Sequence, residues 1–230
     1  MPFTYDYPRP MVTVDVAVLV RSGRSLEVAL IRRGHDPFEG AWALPGGFIE
    51  MDERLVDSAK RELEEETGIR AKWLAPACFA GDPGRDPRGR TISAVFYHLT
   101  WERPETRAGD DAAAVEWFPI GSPPPMAFDH GDVLAAIRLQ VEKDALTTGL
   151  VFNALPVPFT EADFADACAA VPGLGHLATH ARMVLRSLNG RGLVSEIDVP
   201  PNETRLYRFN RNTWGEAPRP WTGWFSSLSR

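Results

Sequence analysis

The chain has 230 residues, 44% hydrophobic and 24% charged, with 20 prolines, 19 glycines and two cysteines. Those proportions exclude a disordered, collagen-like or disulfide-stapled chain and fit one large globular domain or two ordinary ones. The formal net charge of −6 is unevenly spread: residues 1–150 hold 17 basic and 24 acidic side chains, residues 151–230 eight arginines and seven acids.

Met11–Val20 alternates and is rich in valine, the mark of a strand. The turn Ser22-Gly23-Arg24 leads into a second strand, Leu26–Arg32. Glu53–Thr67 has helical spacing, with Asp52 as its N-cap and Gly68 just past its end. Thr91–Trp101 is a third strand and Ala113–Phe118 a shorter fourth. Pro119–Pro125 is a loop, and Asp129–Leu146 is a second helix with apolar residues at 133, 134, 137, 141 and 145–146. A mixed sheet with helices against its faces follows.

No apolar run approaches the roughly 18 residues that span a bilayer, so no membrane partner is expected. The N-terminus MPFTYDYPRP has no basic leader before an apolar stretch. Cys78 and Cys168 lie far apart without metal spacing, and a reducing cytoplasm is the expected location.

Around 147–159 charge disappears and proline returns, which places a domain boundary near 150: a first domain over 1–148 and a second over 149–215. Thr160 opens a helix with Asp163 completing a capping-box-like pair, and Ala162–Val171 forms it. Pro172-Gly173-Leu174-Gly175 breaks the chain. His176–Leu188 is helical again and Asn189–Gly192 ends it. Leu193–Val199 and Thr204–Phe209 read as two strands. Helix, sharp turn, helix and β-hairpin is the order of a small winged helix-turn-helix domain. Residues 216–230, with Trp221, Trp224 and Phe225, form an irregular tail. An acidic first part and a near-neutral, arginine-only second part suggest two modules with different partners.

The informative stretch is Gly47–Ile69. On a wheel of about 100° per residue, Leu55, Val56, Ala59 and Leu63 form one apolar arc. Glu66 falls inside it and Glu62 on its edge, whereas Glu53, Asp57 and Glu64 fall on the solvent side. A carboxylate inside an apolar arc is costly unless paired or bound to a cation. Glu62, Glu65 and Glu66 at i, i+3 and i+4 converge on one patch, and hard oxygen ligands suit Mg²⁺ or Mn²⁺.

Counted from Gly47, the order is Gly, five residues, Glu53, seven residues, then Arg61-Glu62-Leu63-x-Glu65-Glu66-x-Gly68-Ile69. This resembles the Nudix box of the Nudix hydrolases at every defined position. The resemblance implies an α/β/α sandwich with a mixed sheet, and a loop–helix–loop holding divalent metals against a nucleoside diphosphate linked to another group. It implies Glu62, Glu65 and Glu66 as metal ligands with the Gly47 carbonyl nearby, Arg61 orienting a carboxylate and Glu53 steadying the loop. Cations there would neutralise phosphate oxygens and lower the pKa of a bound water that attacks phosphorus. In several such enzymes the base is an acid from a loop outside the box. Gly109-Asp110-Asp111 sits in such a loop; either aspartate could serve, and Asp111 is the one expected to.

In the loop Asp82–Arg90, Arg85, Arg88 and Arg90 are fit to grip phosphates or a ribose. Asp129 and His130, at the start of the second helix, are further candidates for substrate binding; the alternative for Asp129 is that it simply caps the helix. Together the GDPGRDPRGR loop, the GDDA segment and the FDH helix start resemble the ADP-ribose pyrophosphatase branch. That implies ADP-ribose as substrate, cleaved to AMP and ribose 5-phosphate.

Such a domain followed by a winged helix is similar, over nearly the whole chain, to the Nudix-related transcriptional regulators of NAD metabolism. The likeness implies operator DNA as a partner, a sensed ADP-ribose-like nucleotide and a homodimer. The recognition helix would offer His180, Arg182 and Arg186, followed by Arg191, with Arg205 and Arg208 on the wing. The sequence departs from those regulators in having a less basic helix. The alternative for residues 151–230 is a dimerisation or substrate-covering module with Met183, Val184, Leu188 and Leu193 as core. With all three glutamates and Arg61 present, hydrolysis is the first expectation and ligand-gated DNA binding the alternative.

Overall fold

The computed structural model describes residues 6–109, 112–200 and 202–210. Asp110, Asp111 and the tail expected over 216–230 lie outside the described residues. The first region holds β1 (Met11–Ser22), β2 (Ser25–Arg33), β3 (Trp42–Ala43), β4 (Gly46–Phe48), α1 (Leu55–Thr67), β5 (Ala75–Ala80), β6 (Thr91–Thr100), β7 (Ala112–Pro119) and α2 (His130–Thr147). β1 is central. It pairs antiparallel with β2 and β4 and parallel with β6, giving the order β3-β2-β1-β6-β5, with β7 added on β2. One parallel pair among antiparallel ones makes the sheet mixed, as expected.

Alternation along β1 explains why both faces are covered. Val14, Val16 and Val18 turn to α1 and pack with Ala59, Leu63, Ala94 and Phe96. Ala17 and Leu19 turn the other way, joining Val28, Tyr97 and, from α2, Val133, Leu134 and Ile137. Each fully buried aliphatic side chain contributes about 1.5–3 kcal/mol, so two such layers make a rigid platform. By the same alternation, Thr13 and Asp15 lie on the α2 side, beyond the apolar stripe.

The second region begins with a 3₁₀ turn at Leu150–Ala154, followed by β8 (Phe159–Thr160), α3 (Glu161–Ala170), α4 (Gly175–Ala178), α5 (Ala181–Gly190), β9 (Val194–Ile197) and β10 (Leu206–Phe209). β10 lies between β8 and β9 in a small antiparallel sheet. The capping box is present: Thr160 Oγ1 accepts from the Asp163 N–H at 3.1 Å, and Asp163 Oδ2 accepts from the Thr160 N–H at 3.0 Å. Phe159, Phe164, Leu185 and Tyr207 belong to the same apolar cluster as the α2 face of the large sheet. Arg24 donates to Asp166 at 3.2 Å, tying the β1–β2 turn to α3.

Several boundaries differ from the sequence expectation. β3, β4 and β8 have two or three residues, too few to display a period. β5 contains Pro76, which has no amide hydrogen for a neighbour; it lies on the sheet edge and bulges between Pro76 and Cys78. α1 starts at Leu55, and its N-cap position is Arg54 with no side-chain cap, so Asp52 does not cap it. Gly68 closes that helix at φ 72°, a left-handed conformation that glycine takes without strain. The single helix expected over His176–Leu188 is two. The His180 N–H bonds the Leu177 carbonyl at 3.0 Å, three residues back, which interrupts the ladder between α4 and α5. No helix among the described residues is long and apolar enough to cross a membrane.

Candidate functional site

β4 packs closely against β1 on one side and the Glu62 side chain of α1 on the other, leaving its two glycines little room for a side chain. A Cβ on Gly46 would stand 2.1 Å from the Val14 carbonyl oxygen, and one on Gly47 would stand 2.4 Å from Glu62 Oε2. Arg61 then ties the loop to the helix. Its Nε and Nη2 donate to Glu53 at 2.9 and 3.0 Å, its Nη1 to Glu62 at 2.7 Å and Glu65 at 3.1 Å, and its Nη2 to the Phe48 carbonyl at 3.1 Å. Glu53 therefore does not face solvent as the wheel places it. It precedes the helix and turns back onto Arg61 and the Ser58 hydroxyl, which donates at 2.7 Å. Those bonds, from Arg61 first and Ser58 second, hold the Glu53 carboxyl at about 2.

Glu62 and Glu66 both line a cleft of about 380 Å³. Glu66 Oε2 accepts from the Gly46 N–H at 2.8 Å. Burial pushes its carboxyl up to about 8, opposed by the Gly46 bond and reinforced by the charges of Glu62 and Asp15. Burial is also the largest influence on Glu62 and raises it, against the pull of Arg61. Glu65 is different: its side chain is 59% exposed and rests on Arg61. The structure thus brings two of the three expected glutamates to the cleft and turns the third outward. Among the described residues, no three His, Cys, Asp or Glu side chains gather into a ready-made metal cage. The oxygen-only pair, its desolvation and the glycine clearance beside Glu62 nevertheless fit a hard divalent cation.

The opposite wall is built by the loop before β6 and the start of α2. Arg85, with a side chain 5% exposed, makes a two-pronged pair with Asp129 at 2.8 and 2.6 Å. Asp129 occupies the N-cap position of α2 but makes no cap bond; its carboxylate goes to Arg85 instead. Arg88 forks onto Asp86 at 3.0 and 2.8 Å, its guanidinium 5.2 Å from the Phe48 ring centre and 5.7 Å from that of Phe128. Arg90 bonds the Gly81 carbonyl and does not line the cleft.

His130 is buried on the cleft floor, and burial lowers its pKa. Its Nδ1 accepts from the Leu44 N–H at 3.0 Å. Its Nε2 stands 3.6 Å from Asp15 Oδ1, and the Ser93 hydroxyl donates to Asp15 Oδ2. Sequence reasoning missed Asp15, although a lone carboxylate inside the valine run MVTVDVAVLV was a usable signal. It also missed Arg33, for which no local signal exists, whereas Phe128 belongs to the FDH helix start already singled out. Phe128 (φ 53°) and Phe38 (φ 64°) both adopt left-handed backbone and meet edge to face at 4.8 Å. Such strain, about 1 kcal/mol or more per residue, persists only where packing imposes it.

Asp111 lies outside the described residues. The Gly109 N–H bonds the Glu66 carbonyl at 3.1 Å, and a Cβ at Gly109 would stand 1.8 Å from the Glu65 carbonyl oxygen. The loop that leads to Asp110 and Asp111 therefore presses on the end of α1.

A larger cleft, about 810 Å³, lies away from the box, between α3, the α4–α5 corner and the start of β10. Glu161, His180, Arg182, Arg186 and Arg205 line it. Arg182 donates to Glu161 at 3.0 Å and Arg205 lies 3.5 Å from Glu196. Arg186, Arg191 and Arg208 are exposed and carry no ion pair among the described residues. Met183 is 65% exposed and so is not core, whereas Val184 and Leu188 pack against it. Ala181 and Leu185 are the residues that anchor α5.

The sequence matches the family profile described as NUDIX domain over residues 9–137. That is more than half of the chain, and the chain belongs to the Nudix family. It is 30% identical over 212 residues to the ADPR responsive transcriptional repressor NtrR of Acinetobacter baylyi, covering 89% of this chain and 84% of the repressor. It is 39% identical over 128 residues to the ADP-ribose pyrophosphatase of Methanocaldococcus jannaschii, covering 56% of this chain and 73% of that enzyme. The crystal structure of Shewanella oneidensis NrtR shares the fold over 90% of this chain and 97% of that one, with TM-score 0.71 and 24% identity.

Proposed function

We propose that the chain hydrolyses the pyrophosphate of ADP-ribose, giving AMP and ribose 5-phosphate, with Mg²⁺ or Mn²⁺ as cofactor. The observation that carries this reading is the pair Glu62 and Glu66, held at the cleft by Arg61 and two glycines. The 39% identity to a protein named for that activity supports the substrate. Glu62, Glu66 and the Gly47 carbonyl would hold the cation, with Glu65 joining from its place on Arg61. Bound there, the cation supplies charge for the phosphate oxygens and activation of water. Arg85 and Arg88 face the phosphates from the opposite wall, and Asp129 holds the Arg85 fork in plane. Glu53 keeps Arg61 from swinging away from the glutamates. Asp111, carried by the loop that presses on α1, would take the proton of the attacking water. The test is AMP release from ADP-ribose with Mg²⁺, beside Glu66→Gln. Turnover by the wild type and its loss in the variant are expected. No turnover on ADP-ribose, NADH or sugar nucleotides with either metal would overturn the reading.

A second reading, compatible with the first, is an ADP-ribose-gated transcriptional repressor of NAD metabolism. It is favoured by the named repressor, 84% of which this chain spans. The order α3, α4, α5, β9 and β10 is that of a winged helix, which would occupy residues 149–215 beside a Nudix domain over 1–148. His180, Arg182, Arg186 and Arg191 would meet operator DNA, in a homodimer that matches a palindromic site. The free thiols of Cys78 and Cys168 support a cytoplasmic setting. Fluorescence anisotropy on candidate operators, with and without ADP-ribose, tests it; no sequence-dependent binding in either condition would overturn it.

A further inference from the structure

The floor of the cleft holds a donor and an acceptor that the described protein leaves unpaired. The Leu44 N–H occupies His130 Nδ1, so the proton of the neutral imidazole sits on Nε2. The Ser93 hydroxyl occupies Asp15 Oδ2 and leaves Oδ1 to face that N–H. The two atoms are 3.6 Å apart, too far for a direct hydrogen bond. Neither has a hydrogen-bond partner among the described residues. Both side chains are nearly enclosed, His130 at 5% and Asp15 at 6% exposure, and both line the cleft together with Arg33 and Arg85. A Cβ on Gly46 would stand 2.8 Å from Asp15 Oδ1, so glycine at that position keeps the oxygen open.

The chemistry of this pair is selective. A phosphate oxygen is repelled by the Asp15 carboxylate. An ammonium or guanidinium has no lone pair for the Nε2–H. A hydroxyl satisfies both, since its oxygen accepts while its hydrogen donates.

We propose that Asp15 and His130 form a sugar subsite in which a ribose hydroxyl of the nucleotide bridges Asp15 Oδ1 and His130 Nε2. The proposal rests on the ADP-ribose reading and adds to it the groups that discriminate sugars by their hydroxyls. Ser93 and Leu44 are positioning residues: they fix the carboxylate plane and the imidazole tautomer. Arg85 and Arg33, on the same cleft, place positive charge where phosphates on that sugar would lie.

Titration calorimetry without divalent metal provides the test, with the wild type and Asp15→Asn each measured against ADP-ribose and ADP. The variant keeps the shape but removes the charge and one of the two acceptor oxygens, so the Ser93 hydroxyl and the ribose hydroxyl compete for the single neutral acceptor that remains. Affinity for ADP-ribose should fall about 10- to 100-fold, the usual effect of unpairing a buried charged hydrogen bond. Unchanged affinity for ADP assigns the hydroxyl to the terminal ribose; an equal fall assigns it to the adenosine ribose. Equal binding of both ligands by both proteins overturns the subsite while the ADP-ribose reading stands. Should Asp15→Asn unfold, wild-type binding of analogues lacking single ribose hydroxyls decides: one must weaken by a similar factor, and if none does the subsite is overturned. A wild type that binds neither ligand overturns the nucleotide reading itself, and the subsite with it.

Discussion

The two regions of this chain use charge in opposite ways. At the cleft of the first region, carboxylates turn inward and meet basic side chains: Arg85 on Asp129, Arg61 on Glu53 and Glu62, and Asp15 beside His130. In residues 149–210 the arginines stand outside; Arg182, in its pair with Glu161, is 76% exposed. An enclosed charge must find partners or it destabilises the fold, so each inward group constrains several others. An exposed pair contributes only about 0–1 kcal/mol. Substitutions in the first region should therefore change folding and chemistry together, and those in the second should change binding alone.

The largest expected effect on that contrast comes from Glu66→Gln. Hydrolysis should fall about 100-fold or more, since a proposed ligand to the cation is lost. Stability should move the other way. The folded Glu66 holds its proton up to about 8 rather than 4.5, so the folded state binds more protons than the unfolded chain in between. The contribution of Glu66 to metal-free stability is accordingly full below about pH 4.5 and is lost as pH rises through about 8. The variant should lack that decline and be more stable at pH 8 by on the order of 2 kcal/mol in urea melts without divalent ions. A variant that is less stable there would break the account of Glu66 as a strained, cation-seeking group.

Arg61→Ala comes next, because one guanidinium serves three carboxylates and a carbonyl. A loss of about 2–3 kcal/mol is expected in denaturant melts, with the Glu53 carboxyl rising from about 2 toward its ordinary value in an NMR titration. Arg85→Lys should lose about 1–2 kcal/mol, since an ammonium cannot reproduce the two-pronged contact with Asp129. Calorimetry would show weaker ADP-ribose binding by the same variant. The smallest expected change in stability is that of Arg186→Ala, within about 0.5 kcal/mol. Its effect should appear only on DNA, as weaker binding and a salt dependence shallower by about one ion. A stability loss there comparable to Arg85→Lys would erase the distinction between the regions.

Much of the local structure in both regions was legible from the chain itself. The alternation of β1, the Gly68 stop and the Thr160–Asp163 box depend on neighbours a few residues away, and the structure has them. The box spacing located the carboxylates of α1 for the same reason, since 3.6 residues per turn sets which side chains share a face. Reading failed where a residue's partner lies elsewhere in the fold. Glu53 was assigned to solvent because the wheel treated it as helical, whereas Arg61 and Ser58 draw it inward. For Asp129 the chain left substrate binding and helix capping open, and Arg85, 44 residues earlier, draws its carboxylate away from the cap. Asp15 passed unnoticed because its partners, Ser93 and His130, arrive from β6 and α2.

The amino-acid sequence by itself therefore determined the long strands and helices, the Thr160–Asp163 cap, the Gly68 stop and the identity of the acidic helix, all of which rest on local periodicity and backbone preference. Only the tertiary structure decided which charges are enclosed, which glutamate turns away from the cleft and which donor and acceptor are left facing each other. Burial and pairing belong to neighbours in space, and the chain acquires those only when the sheet closes over its helices.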